Sequence, residues 1–141
     1  MSLDRIFGVA GGAMDAQVIR MNLAVSNIAN AEVTESSSEQ AYRAKRPVFE
    51  TILAKEVDQR RNETAGGVRV RQIVEDQATP PVSYDPGHPN ANEEGYVYLS
   101  NVNPMNELIE MTAAARSFES NIEAMNTAKQ LMMRTVELLK K

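Results

Sequence analysis

The stretch PMNELIEMTAAARSFESNIEAMNTAKQLMMRTVELLKK, Pro104–Lys141, decides the fold. Its apolar residues fall on two heptad series. One carries Leu108, Ala115, Ile122, Lys129 and Val136, the other Met111, Phe118, Met125, Met132 and Leu139. Nine of these ten positions are apolar or small, a coiled-coil pattern sustained over more than four heptads. Asn103 can cap the helix and Pro104 suits its first position. Glu107 and Glu110 lie near the start, and Lys140 and Lys141 at the end, as the helix dipole prefers. A helix over about 104–140 is roughly 55 Å long, more than a 141-residue chain needs for its own interior.

At the other end, residues 3–31 read as a second helix, with Ser2 as its cap. Leu3, Phe7, Ala10, Met14, Met21, Ala24 and Ile28 recur at alternating spacings of four and three, with Gln17 as the polar interruption. Gly11 and Gly12 lie inside the run, each costing about 1 kcal/mol against alanine in a helix. Either the helix breaks or loosens there, or a neighbouring helix approaches closely across Ala10-Gly11-Gly12-Ala13. All eight methionines lie in the two terminal regions. They read either as ordinary helical core or as a seam that fits several non-identical neighbours. Gln17 and Lys129 are polar seam residues of the kind that fix register, although Lys129 can also snorkel to water.

Between the helices, about 32–103, the texture changes. Residues 35–39 are polar and loop-like. Tyr42 to Phe49 suits a short edge or extended strand, given Pro47, and Val48 to Val57 suits a helical turn or two. Ala65-Gly66-Gly67 is a turn, Val68 to Val74 alternates as a half-exposed strand, and Tyr96 to Leu99 is a further strand. Pro80, Pro81, Pro86, Gly87, Pro89 and Gly95 break the chain between them. A small β-hairpin or three-stranded insert follows, too small for much of a core.

Charge divides unevenly. The helical ends and residues 32–75 are each balanced. The whole net charge of −4 falls in 76–103, which holds Asp76, Asp85, Glu93 and Glu94 and no base. No concentrated basic face exists for nucleic acid. Arg43, Lys45 and Arg46 are flanked by Glu39 and Glu50 and read as a solvated face.

The absence of cysteine removes disulfides, thiol catalysis and cysteine-based metal sites. The one histidine, His88, sits in the turn Asp85-Pro86-Gly87-His88-Pro89, whose structural reading outweighs that of a metal pair. Glu93 and Glu94 are adjacent and point apart, and neither glycine pair has the spacing or lysine of a phosphate loop. No catalytic residue, metal or cofactor is expected. No apolar run approaches membrane-spanning length, and Ile6 to Met14 lacks the basic flank and cleavage site of a signal peptide.

The resulting fold class is mainly α with a small β insert. Two long terminal helices form an antiparallel coiled-coil-like pair bracketing a short β-rich extended segment, with residues 1–141 as a single assembly unit. The seams want partners, and one chain supplies only one per helix.

Several motifs bear a resemblance. Ser26-Asn27-Ile28-Ala29-Asn30-Ala31 closes the first helix. Asn106-Glu107 through Met111, Ala115 through Asn121, and Thr127-Ala128-Lys129 punctuate the last. Tyr42 to Phe49, Gly67 to Val70, Asp85 to Pro89 and Gly95 to Val97 lie between. In this order and spacing they resemble the flagellar basal-body rod protein family, and within it a proximal rod subunit. The resemblance implies a structural subunit, not an enzyme, stacked helically around the export channel of the flagellar drive shaft. It implies other copies of the chain, other rod proteins, basal-body base proteins and the flagellar type III export apparatus as partners. It also implies a place in the periplasmic rod, reached without a cleaved signal peptide or membrane insertion.

Assembly contacts are expected from Leu3, Phe7, Met14, Met21, Asn27, Ile28 and Asn30 on the first helix. The second helix contributes Leu108, Met111, Phe118, Ile122, Met125, Met132, Val136 and Leu139. Asn27 and Asn30 are further expected to satisfy backbone groups where the first helix ends. The competing reading is a small helical-hairpin binding module or export adaptor.

Overall fold

The computed structural model describes residues 3–52 and 66–139. Helix α1 runs Leu3–Ala29 and helix α2 Pro104–Leu139. The cap of α2 forms as expected. Asn103 Oδ1 accepts from the backbone N–H of Met105 at 3.0 Å and of Asn106 at 3.3 Å, and Pro104 takes the first helical position, where no N–H is needed. At the far end of α1, Asn30 closes the last turn by donating from Nδ2 to the Ser26 carbonyl at 2.7 Å. Ser2, expected to cap α1, lies outside the described residues.

Gly11 and Gly12 do not interrupt α1. The reason for small residues there differs from the expected helix contact. A Cβ on Gly12 would stand 3.1 Å from the carbonyl oxygen of Val68, so the close neighbour is strand backbone, while a Cβ on Gly11 would meet nothing within 4 Å. Gly11→Ala therefore removes a helix penalty without a clash and should stabilise the protein by up to about 1 kcal/mol. Gly12→Ala should give no such gain, because the Val68 carbonyl must move. Paired thermal melts of the two variants check this.

Among the described residues, five strands lie between the helices: β1 Thr34–Glu35, β2 Lys45–Thr51, β3 Val68–Glu75, β4 Val82–Tyr84 and β5 Tyr96–Leu99. They form a three-stranded sheet ordered β1-β5-β4, antiparallel throughout, and a two-stranded sheet of β2 and β3. β3 and β5 match expectation. The helical turn expected from Val48 to Val57 is corrected: Val48 to Thr51 continue β2, and residues 53–57 lie outside the described residues. Val48, Phe49 and Thr51 are residue types that suit a pleated surface. Pro47 is tolerated because a two-stranded sheet has only edge strands. β1 and β4, two and three residues long, were too short to leave a periodic signal.

The chain divides into two compact units, each drawing on parts of both helices. In the first (Met1–Ile19, Val48–Gln72, Ala113–Lys141) the buried apolar residues are Ala10, Ala16, Ile52, Ala114 and Ala128. Ile52 exchanges backbone bonds with Gly66 and Gly67, both 2.8 Å, Gly66 takes a φ of +87°, and Arg69 pairs with Glu50 at 3.2 Å.

In the second unit (Arg20–Pro47, Ile73–Thr112) the interior holds Ala24, Ala41, Ala44, Val97 and Val102 together with Asn27, Ser100 and Glu107. Here α1 and α2 are tied by Arg20 to Glu110 and by Asn27 to Glu107. The buried apolar positions of the helices are thus all alanines, Ala10, Ala16, Ala24, Ala114 and Ala128, while Asn27 and Glu107 are their largest fully buried side chains.

That has a consequence for the seams. On α2 the buried positions Glu107, Ala114 and Ala128 keep heptad spacing, but they lie one residue before the series Leu108, Ala115, Ile122, Lys129 and Val136. Of that series Leu108, Ile122, Lys129 and Val136 are exposed, Ile122 by 40% and Val136 by 45%. The companion series is half-buried at Met111, Phe118, Met125 and Met132 and exposed at Leu139.

Candidate functional site

Two features stand out: a buried polar junction in the second unit, and the exposed apolar residues of α2.

The junction is built around Asn27, two residues before the end of α1 and wholly buried. Its Nδ2 donates to the Lys45 carbonyl at 3.0 Å and to Glu107 Oε2 at 2.9 Å. Its Oδ1 accepts from the Lys45 backbone N–H at 2.9 Å and from the Tyr42 hydroxyl at 3.1 Å. Only one orientation of the amide serves all four partners, since Lys45 presents both a donor and an acceptor. Glu107, in the first turn of α2 and only 1% exposed, completes the charge balance with Arg46 Nη1 2.8 Å from its Oε1. A buried carboxylate without such partners would be costly, so the arginine and the amide are what permit it there.

Asn101 carries the network into the β region. Its Oδ1 accepts from the Ala44 N–H at 2.7 Å, and its Nδ2 donates to the carbonyls of Asp76 at 3.3 Å and Ala78 at 3.0 Å. Lys45 also places its ammonium 5.7 Å from the Tyr42 ring centre.

The structure changes the reading of several residues. Arg46 is not part of a solvated face, because it faces the buried Glu107. Asn27 does satisfy backbone groups, but those of Lys45 in β2 rather than of its own helix end. It is internal, so it offers no surface of its own. Glu107, expected to lie near the helix start and to belong to the Asn106-Glu107 motif, is in addition the buried acid of this junction. The signal that could have found this site was the motif set itself. Ser26–Ala31, Tyr42–Phe49 and the Asn106-Glu107 start of the third motif are far apart in sequence, and Asn27, Lys45, Arg46 and Glu107 from them meet here.

The remaining expected contact residues lie on the helices. Leu3 opens α1; Phe7, Met14, Met21, Ile28 and Asn30 are half-buried. On α2, Leu108, Ile122, Val136 and Leu139 are exposed, and Met111, Phe118, Met125 and Met132 half-buried. Leu131, Met133 and Leu138 near the end of α2 are exposed too. Exposed apolar side chains are thus concentrated toward the C-terminal end of α2. Asp85 and His88 are occupied in their turn: Asp85 Oδ1 accepts from the Gly87 N–H at 3.2 Å and His88 Nδ1 from the Asn90 N–H at 3.1 Å. Among the described residues no helix is long and apolar enough to cross a membrane.

Two end helices, tied to each other through Asn27 and Glu107, thus flank a small β region. Residues 93–138 match the family model described as "Flagellar basal body rod FlgEFG protein C-terminal". Over 138 residues, 98% of each chain, the protein is 41% identical to the flagellar basal-body rod protein FlgC of Salmonella typhimurium. It is 39% identical to FlgC of Escherichia coli O157:H7 over the same share, and 34% identical to FlgC of Bacillus subtilis over 92% of this chain and 93% of the relative. The chain belongs to the FlgC family of flagellar basal-body rod proteins.

Proposed function

We infer that this chain is a structural subunit of the flagellar basal-body proximal rod and not an enzyme. Similarity to FlgC along nearly the whole of both chains carries the inference. The apolar residues left exposed along α2 support it physically, because a subunit that stacks on neighbours must present such residues.

The mechanism is burial of these residues on assembly. The helices pair as an antiparallel coiled-coil-like unit, and residues 1–141 act as one assembly unit. The face carrying Leu108, Ile122 and Val136 is covered by other copies of the chain and by other rod proteins. Each large apolar side chain taken fully out of water contributes about 1.5–3 kcal/mol. Several together offset the ordering cost of long helices, so folding of the helix ends and binding coincide. Leu3, Phe7, Met14, Met21 and Ile28 on α1, and Met111, Phe118, Met125, Met132 and Leu139 on α2, contribute to the same packing, with Asn27 and Asn30 fixing the end of α1. The subunits stack helically around an export channel, next to basal-body base proteins. They reach the periplasm through the flagellar type III export apparatus.

Deletion of the gene tests the reading. The deletion strain should lack rod, hook and filament and fail to swim, and the intact gene supplied in trans should restore all of them. Normal swimming by the deletion strain would overturn it.

A further inference from the structure

The β1-β5-β4 sheet has an inverted outer face. Val82 opposes Tyr98, and Tyr84 opposes Tyr96, across the antiparallel β4–β5 pair. Directly opposed residues share a face, as do residues two apart on one strand. Val82, Tyr84, Tyr96 and Tyr98 therefore line one side, while Val97, 3% exposed, points to the other. Val82 is 50% exposed, Tyr84 66% and Tyr96 40%. Val82, Tyr84 and Tyr96 thus stand exposed on this face, with Tyr98 half-buried beside them.

These rings are held in place rather than splayed. Tyr84 and Tyr96 meet edge to face at 5.3 Å and 65°. Gly95, at a φ of +82°, leaves room for Tyr84: a Cβ there would come within 2.9 Å of its ring. The turn below is bonded to itself, with Asp85 donating its N–H to the Gly95 carbonyl at 3.0 Å and Asn92 Oδ1 accepting from the N–H groups of Glu94 and Tyr96. An exposed aromatic pair already ordered loses little freedom on binding.

The charge around it has one sign. Asp85, Glu93 and Glu94 are exposed in the β4–β5 connection, and Glu35, opposite Tyr98 on β1, shares the tyrosine face. The unit as a whole carries ten acids and four bases. Three of those bases are engaged elsewhere: Arg20 with Glu110, Arg46 with Glu107, and Lys45 over Tyr42.

We propose that this tyrosine face docks a lysine- and arginine-bearing surface of a second protein, separately from the helix seams. Acidic rims attract such a surface, and tyrosine rings receive cations on their faces. Two copies meeting through the same face would bring acid against acid, which argues against self-association here. The proposal goes beyond the rod reading by giving the β region a partner of its own.

The test is photo-cross-linking in flagellated cells, with Val82 replaced by p-benzoylphenylalanine and adducts analysed in purified basal bodies. The expected result is an adduct with another protein, through a peptide of net positive charge. Its yield per subunit should fall at least fivefold when Asp85→Lys, Glu93→Lys and Glu94→Lys are added. No adduct, adducts only between copies of this chain, a linked peptide without net positive charge, or a yield unchanged by charge reversal would overturn it. Absence of the unaltered chain from the same basal bodies would strike the rod reading instead.

Discussion

Asn27→Ala should destabilise the second unit by about 3–5 kcal/mol, the largest effect expected of any single surface-preserving change. Four hydrogen bonds go at once. The Lys45 N–H and carbonyl lose their partner in the interior, and Glu107 keeps only Arg46. Asn27→Asp keeps the shape yet should be at least as damaging, because an acidic oxygen then faces the Lys45 carbonyl and the Glu107 carboxylate. Asn30→Ala is the internal comparison. It loses one bond to the Ser26 carbonyl at a half-buried site and should cost about 0.5–1.5 kcal/mol. Urea unfolding followed by tyrosine fluorescence reads these values, since Tyr42 sits in the junction. Equal losses for Asn27→Ala and Asn30→Ala would contradict the role assigned to the junction.

The second large effect concerns assembly rather than stability. The double variant Ile122→Asp with Val136→Asp should leave expression and helix content unchanged, because both side chains already stand 40% and 45% in water. Assembly would have to bury two new charges, which costs several kcal/mol when nothing pairs them. At least a tenfold loss of the subunit from basal bodies, with loss of swimming, is expected. Phe118→Ala and Met125→Asp should abolish assembly too, but those residues are half-buried within the chain, so they also bear on the fold. The exposed pair separates the two effects. Swimming and rod occupancy at wild-type levels would remove the Leu108–Val136 face from the interface.

The sequence made the helices plain because their signals repeat. Heptad spacing, the Asn103 cap and Pro104 all point the same way over 36 residues. The face α1 turns inward was largely legible, since Ala10 and Ala24 belong to its repeat and are buried, but that of α2 was not. Periodicity weights large apolar residues, whereas α2 buries Ala114 and Ala128, which a hydrophobicity pattern scores weakly. The strands β1 and β4 were hidden for a different reason, since two or three residues cannot show a period. The polar junction was hidden by distance. Asn27, Arg46 and Glu107 look like a helix end, a surface base and a helix-start acid, and only the fold places them within hydrogen-bonding reach. Gly12 shows the same limit, with the close approach foreseen but its partner a strand carbonyl rather than a helix.

The most direct measurement is mass spectrometry of detergent-purified hook–basal bodies from the source organism. As a rod subunit, this protein should be present at a level comparable to the other rod proteins. Its clear absence, with the other rod proteins present, would contradict the account.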